Sequence, residues 1–219
     1  MTGQSTWKVG RVASGDTQER LIRTAAGLWH RRSYADVGVS EICEAADVRK
    51  GSFYHFFPSK QDLAVAVIDR HWREAYENVV MPALAAGTTP MEQLQELTIG
   101  IADEVGRLAY ALGVVPGCPF GNLAVELSTI DGAVRERLER LFESQQDVLR
   151  ELLERAVAAG ELPGATDTAD AARAMHAYIE GVLLVSKNAN DASLARRLLP
   201  LALRLAVEGS PVEAARLRS

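Results

Sequence analysis

VSEICEAADVRKGSFYHFFPSK, residues 39–60, is the stretch that decides the fold of this chain. Apolar residues recur in its first part at helical spacing, at Val39, Ile42 and Ala46, which predicts a short helix over about residues 39–46. Asp47 follows, and Asp tolerates the left-handed backbone of a tight turn better than most residues do. A second helix is predicted over about residues 49–56, and another begins just after Pro58.

The second of these helices has an outward face that is unusual for a solvated surface. At about 100° per residue, Phe53 and Phe56 point to one side of it. The other side and its flanks carry Lys50, Gly51, Ser52, Tyr54 and His55. Such cations, hydroxyls and imidazoles suit phosphate oxygens and base edges, and an aromatic ring suits a thymine methyl group. The pattern therefore indicates a helix-turn-helix whose second helix enters a major groove, although an ordinary helical hairpin with exposed aromatic residues has the same spacing.

The segment RKGSFYHFFPSK, residues 49–60, resembles the recognition-helix signature of the TetR/AcrR family of transcriptional regulators. The similarity extends upstream over residues 16–46 and downstream into the helix that follows Pro58. Two positions depart from the family pattern: Asp47 stands where Gly is frequent, and Gly38 stands where Ser or Thr often opens the first motif helix. The resemblance implies an all-α protein with an N-terminal three-helix DNA-binding domain and a C-terminal helical domain for ligand binding and dimerisation.

On this basis we expect a flexible N-terminal arm at residues 1–15, the helix-turn-helix domain at residues 16–58, and the ligand-binding and dimerisation domain at residues 59–219. In the predicted DNA-binding set, Gly51 permits close approach and Lys60 holds a phosphate near the start of the fourth helix. The full set is Ser40, Arg49, Lys50, Gly51, Ser52, Tyr54, His55 and Lys60.

The charge distribution is compatible with DNA binding despite a net charge of −5. Residues 1–60 hold nine Lys or Arg and six Asp or Glu, so the predicted DNA-binding part is weakly basic and the remainder is acidic. No apolar run is long enough to span a membrane, the N-terminus lacks an apolar secretion signal, and the two cysteines are too few for a disulfide framework. We expect a cytoplasmic protein without membrane contact.

Several start and stop signals place the remaining helices. Ser59 and Thr89 are expected to cap the helices that follow them, and Gly160 to end the longest helix, which begins near Asp131. The fourth helix is expected to run over residues 59–80 and to end before Met81 and Pro82. Pro200 predicts a kink in the last helix.

Residues 113–122, GVVPGCPFGN, contain three glycines and two prolines, which exclude a regular helix, yet the segment is apolar and should pack inward. Cys118 precedes a helix predicted over about residues 119–128. A cysteine at a helix N-terminus can have a lowered pKa, whereas a buried cysteine is inert. The segment also resembles one branch of the family that includes electrophile- and oxidant-sensing repressors, so a covalent effector at Cys118 and a reversible apolar effector are both open.

A reversible effector would use aromatic and apolar residues of the C-terminal domain. The predicted ligand-binding set, which includes the cysteine, is Trp72, Tyr76, Tyr110, Cys118, Phe120, Asn122, Met175 and Tyr178. The last two helices, about residues 170–186 and 192–207, are so apolar that a partner must cover them, and the family resemblance implies a four-helix bundle in a homodimer.

The expected function is a repressor that binds a palindromic operator in double-stranded DNA as a dimer and is released by a small-molecule effector. The alternative is a helical small-molecule-binding or enzymatic bundle whose N-terminal head makes protein contacts. We find no phosphate-binding loop, zinc motif, nucleophile elbow or other catalytic constellation, and the four histidines are scattered. No catalytic residue, metal site or cofactor is therefore expected.

Overall fold

In the computed structural model of the chain, residues 14–208 are described, and their regular structure is entirely helical. The helices are α1 Ser14–Arg31, α2 Val39–Ala45, α3 Lys50–Phe56, α4 Lys60–Ala75, α5 Met81–Ala86, α6 Pro90–Leu112, α7 Pro119–Leu127, α8 Gly132–Ala158, α9 Thr168–Ala189, α10 Ala192–Leu198 and α11 Ala202–Glu208. A π-helical turn, Tyr76–Val80, joins α4 to α5, and a 3₁₀ turn, Leu199–Leu201, joins α10 to α11. The expected all-α fold is confirmed.

The first compact unit ends at Val67 and contains α1, α2, α3 and the start of α4. Its core is mainly apolar, because the buried faces of the helices supply Leu21, Ala25, Ile42, Phe53 and Leu63, all without exposed surface. Asp47 has a φ of 52° between α2 and α3, as the turn prediction requires. Fully burying a side chain such as Phe53 contributes about 1.5–3 kcal/mol to folding stability, so this residue holds α3 against the N-terminal core.

Two boundaries of the N-terminal part differ from the sequence expectation. Helix α1 begins at Ser14 instead of Asp16. The expected flexible arm falls largely on residues 1–13, which lie outside the described residues. The division between the compact units falls between Val67 and Ile68, inside α4, whereas the sequence analysis placed it at residue 58. The side chains of Leu63 and Ala64 are fully buried, so the first turns of α4 belong to the N-terminal core.

The helical path also continues farther than expected after α4. The helix was expected to end before Met81 and Pro82, but the π-helical turn leads directly into α5, where Pro82 occupies the first turn. Proline lacks a backbone N–H and is tolerated in the first turn of a helix. The wider turn just upstream is the kind of local adjustment that accommodates it without breaking the helix.

The second compact unit begins at Ile68, and several of its helices begin or end at the predicted signals. Thr89 and Glu92 form a complete capping box at α6, and Asp131 caps α8. Gly160 has a φ of 75° just past the end of α8, and Pro200 lies in the 3₁₀ turn that interrupts the last helix. These cap, stop and kink predictions are confirmed.

The core of the second unit lies between α6, α8 and α9, with α7, α10 and α11 packed around them. Its fully or nearly fully buried side chains include Leu94, Leu138, Leu141, Leu152, Leu153, Met175 and Leu199. Within the part of the chain that the structure describes, no helix is long and apolar enough to cross a membrane.

Candidate functional site

Helix α3 buries one aromatic side chain in the N-terminal core and exposes the polar face that follows the left-handed turn at Asp47. Phe53 is fully buried, whereas Tyr54 keeps 55% of its surface exposed and its ring meets the Phe53 ring edge-on, with centroids 5.2 Å apart. Arg49 is the N-cap of α3 and is exposed. The remaining exposed members of this face are Lys50, Gly51, Ser52 and His55. Helix α3 and its N-cap thus bring together six of the eight residues expected to bind DNA, while Ser40 lies on α2 and Lys60 on α4.

The helix before it, α2, begins at a residue without a capping side chain. Gly38 is its N-cap and makes no side-chain hydrogen bond there, while Ser40 is exposed on the first turn. Arg32 fixes this region, because its guanidinium pairs with the Glu41 carboxylate and donates to the Asp36 carbonyl at 2.8 Å. The Glu41 carboxylate on α2 is therefore ion-paired.

Lys60 is the first residue of α4, and its ammonium has two defined contacts within the N-terminal unit. The ammonium donates a hydrogen bond to the Tyr34 carbonyl and lies 3.9 Å from the centroid of the Tyr34 ring. Beside it, the Ser59 hydroxyl accepts from the Asp62 backbone N–H at 3.1 Å and donates to the Asp62 carboxylate at 2.6 Å, which confirms the predicted cap.

The Cys118 segment forms a second cluster of polar groups, in the C-terminal unit. Residues 115–118 are buried, so the apolar loop packs inward as expected. Cys118 is 9% exposed and is the N-cap of α7, where its sulfur accepts from the Gly121 backbone N–H at 3.4 Å. Its thiol is also hydrogen-bonded to the carboxylate of Glu180 on α9.

The electrostatics of this cysteine oppose thiolate formation. Burial raises the pKa of Cys118 well above its usual value, and the neighbouring Glu180 charge raises it further, while the hydrogen bond from Gly121 works in the opposite direction. Burial likewise raises the pKa of Glu180, and the bond with Cys118 partly offsets that rise. The lowered pKa that the helix N-terminus suggested is thus outweighed by burial and by the carboxylate.

Two glycines allow α9 to approach the Cys118 loop this closely. A Cβ on Gly121 would stand 2.6 Å from the Glu180 carboxylate oxygen, and a Cβ on Gly117, whose φ is 73°, would stand 2.9 Å from the Lys187 side chain. The Lys187 ammonium donates to the Asn122 side-chain oxygen at 2.7 Å. Any larger residue at position 121 would displace the Glu180 carboxylate from the thiol.

The residues of the expected ligand set contact different parts of the C-terminal unit. Phe120 is buried and its ring faces that of His71 on α4, with centroids 6.3 Å apart. Trp72 and Tyr76 form a separate ring pair with centroids 5.7 Å apart.

Three other members of the set have different surroundings. Met175 is fully buried in the core, and the Tyr178 hydroxyl donates to the Leu198 carbonyl at 3.1 Å. Tyr110 lies on the last turn of α6, and its side chain is 93% exposed in the single chain.

The sequence analysis missed Glu180, Lys187 and His71. Glu180 is the most detectable of them, because it is a single carboxylate in an otherwise apolar part of α9, and an isolated charge there signals a specific partner. The other two positions depend on which loop packs against each helix. Among residues 14–208, no group of three or more His, Cys, Asp or Glu side chains is placed to hold a metal ion.

The arrangement of α2, a left-handed turn and a polar, outward-facing α3 defines a helix-turn-helix protein of the kind that binds DNA. Comparison with known protein families supports the same class of protein. Residues 21–67 match the model of bacterial regulatory proteins, tetR family, and residues 101–200 match the model of the tetracyclin repressor-like C-terminal domain.

An HTH-type transcriptional regulator in the lacX 3′ region of Lactococcus lactis subsp. lactis is 30% identical over 80% of this chain and 86% of that protein. The transcriptional regulator AcuR of Cereibacter sphaeroides is 32% identical over 77% of this chain and 75% of that protein. The HTH-type transcriptional repressor NemR of Escherichia coli (strain K12) is 28% identical over 57% of this chain and 61% of that protein.

A crystal structure of the regulatory protein TetR from Rhodobacter sphaeroides superposes with a TM-score of 0.74 at 28% identity, covering 86% of this chain and 98% of that one. The chain belongs to the tetR family of bacterial regulatory proteins and is a DNA-binding transcriptional regulator, which confirms the resemblance found in the sequence.

Proposed function

We propose that this protein is a transcriptional repressor that binds a palindromic operator as a homodimer and leaves it when a small molecule binds the C-terminal domain. The observation that supports it most strongly is the α3 face, where Lys50, Ser52, Tyr54 and His55 stay exposed while Phe53 is buried. Residues of these types bind phosphates and base edges, and Gly51 permits close approach of the backbone. The name of the relative NemR, a repressor, favours repression over activation.

The test is fluorescence anisotropy with labelled duplex DNA from the region upstream of the protein's own gene, followed by hydroxyl-radical footprinting. The proposal expects two protected half-sites related by a two-fold axis, about one helical turn apart, or farther apart if two dimers bind. Protection of a single asymmetric site would contradict the palindromic, dimeric mode of binding. Absence of salt-dependent binding would favour the alternative, a helical ligand-binding or enzymatic bundle whose head contacts protein.

The homodimer is supported by the outward faces of the last helices. Helix α9 exposes a continuous strip at helical spacing, namely Ala174, Ala177, Gly181, Leu184, Val185 and Asn188, and Leu184 is 64% exposed. On α10, α11 and the 3₁₀ turn between them, the small residues Ala195, Ala202 and Ala206 are buried in the subunit, while Leu194, Leu198, Leu201 and Leu205 remain half-buried or exposed. A second copy covering both faces would form a four-helix bundle.

Sedimentation velocity tests this interface. Leu184→Glu places a charge at its centre and should shift the dimer toward monomer, because an unpaired charge is costly in an apolar interface. Met81→Glu is a matched control, since Met81 is also exposed but lies on α5. A dimer that tolerates Leu184→Glu as well as it tolerates the control would refute this placement.

The effector has two candidate sites, and substitution of Cys118 distinguishes between them. A covalent electrophile would react at Cys118, which is neutral and buried beside Glu180, so reaction requires the loop to open or the thiol proton to pass to a base. A reversible effector would use the apolar residues around Phe120 and Trp72. Treating wild type and Cys118→Ser with a mild thiol electrophile, and then measuring operator binding, distinguishes the two: loss in the wild type alone assigns the cysteine.

Release would follow from a shift between two arrangements of the dimer. An effector that binds the arrangement unable to engage DNA more tightly raises its population, with a coupling of about 1–3 kcal/mol. We propose that α4 is the hinge. Distances between spin labels on the two α3 helices should differ between DNA-bound and effector-bound protein, and equal distances would rule this mechanism out. A repressor must reach operator DNA inside the cell, so we propose a cytoplasmic protein.

A further inference from the structure

One residue holds the Lys60 side chain in two ways. Tyr34 lies between α1 and α2, 26 positions before Lys60, and it offers both its carbonyl oxygen and the face of its ring to the ammonium. An aromatic face attracts a cation, and a carbonyl accepts one of the three N–H donors of an ammonium. These two contacts fix the ammonium against the turn before α2.

Tyr34 is itself rigidly placed. Its side chain is 7% exposed, and its ring packs against that of Trp29 with centroids 5.1 Å apart. Its carbonyl also accepts from the Val37 backbone N–H at 3.4 Å, which ties the turn before α2 to the same point. The tyrosine that contacts the Lys60 ammonium is therefore part of the N-terminal core.

We infer that Tyr34 is a positioning residue for DNA binding: it orders the Lys60 ammonium in advance at the site where it meets an operator phosphate. A lysine has a long flexible side chain, and the conformational entropy lost when it is fixed on binding lowers affinity by about 2- to 10-fold. When the ring and the carbonyl already hold the ammonium, that loss occurs during folding instead of during DNA binding. The inference rests on the proposed function and adds a role for a buried tyrosine that does not touch DNA.

A purely structural role makes different predictions. If Lys60 only ties α4 to the turn before α2, its charge never meets a phosphate, and loss of Tyr34 weakens DNA binding through the fold alone. The salt dependence of operator binding and the coupling between the two residues separate these cases.

The experiment measures operator affinity at several salt concentrations for wild type, Lys60→Met, Tyr34→Leu and the double variant. Lys60→Met should flatten the plot of log affinity against log salt by about 0.9 for each phosphate that the ammonium neutralises in the wild type. Tyr34→Leu should weaken binding about 2- to 10-fold with nearly the same slope, because the charge remains but is no longer ordered. In the Lys60→Met background the same change should have no further effect.

A pair of variants with conserved shape covers the case in which Tyr34→Leu does not fold. Tyr34→Phe keeps the ring and serves as the reference, and a pentafluorinated phenylalanine at position 34 keeps the shape but removes the attraction of its face for a cation. The fluorinated variant should bind operator more weakly than Tyr34→Phe, but only when Lys60 is present.

Equal losses in both backgrounds, or an unchanged salt slope in Lys60→Met, would overturn the inference while leaving DNA binding by the α3 face intact. A wild-type protein that shows no salt-dependent DNA binding would overturn the proposed function, and the inference with it.

Discussion

Removing the exposed tyrosine of α3 is the perturbation whose effect the structure quantifies best. Tyr54 keeps 55% of its surface exposed. For a tyrosine that offers roughly 200 Å², about 110 Å² is available to DNA. Covering this area at about 25 cal/mol per Å² gives an upper limit near 3 kcal/mol, so Tyr54→Ala should weaken operator binding by about 1–3 kcal/mol, or about 5- to 150-fold.

The assay is anisotropy with labelled operator at fixed salt, beside a thermal melt of each variant. Tyr110→Ala is the matched control, because the same atoms are removed from a side chain that is 93% exposed in the C-terminal unit. The control should bind operator within about two-fold of wild type, the scale of an ordinary surface change. If Tyr54→Ala is folded and binds as well as Tyr110→Ala, the assignment of the α3 face to DNA is incorrect.

Three further predictions concern local features. Asp47→Val should lower the free energy of unfolding by about 1–2 kcal/mol in a denaturant titration, because a β-branched residue is strained at the φ of 52°, whereas Asp47→Gly should be neutral or stabilising. In a Cys43→Ser background, Glu180→Gln should move the pH profile of iodoacetamide alkylation to lower pH, because removing the carboxylate charge lowers the pKa of Cys118, and an unmoved profile would exclude that charge as a cause. Burial lowers the pKa of His176 below its usual 6.5, so on acidification from about pH 7 the unfolded chain takes up a proton before the folded one. The melting temperature should therefore fall more on acidification in wild type than in His176→Gln. Parallel plots of melting temperature against pH for the two proteins would contradict this.

Local signals in the sequence predicted most of the fold. The left-handed turn at Asp47, the Thr89 cap, the stop at Gly160 and the interruption at Pro200 each depend on one residue and its immediate neighbours. The continuation through Pro82 was not predicted, because the chain accommodates that proline with a π-helical turn whose formation depends on packing.

The two candidate sites differ in how much of each could be predicted from the sequence. The exposed set on α3 follows from a helical period fixed by Phe53, so its membership was predictable from spacing. The environment of Cys118 depends on Glu180, which is 62 positions away and comes close only because Gly121 has no side chain. Spacing carries no information about such a contact, so the sequence left a lowered pKa and a buried, inert thiol both open, and burial raises the pKa of Cys118.

The most direct test of DNA recognition by this protein is the salt dependence of binding to duplex DNA from upstream of its own gene, measured by anisotropy between about 50 and 200 mM salt. We expect log affinity to fall linearly with log salt, with a slope of about −0.9 for each phosphate contacted, and to fall less steeply for Lys50→Met. Affinity that does not change with salt, or a Lys50→Met slope equal to that of wild type, would contradict the placement of α3 on DNA.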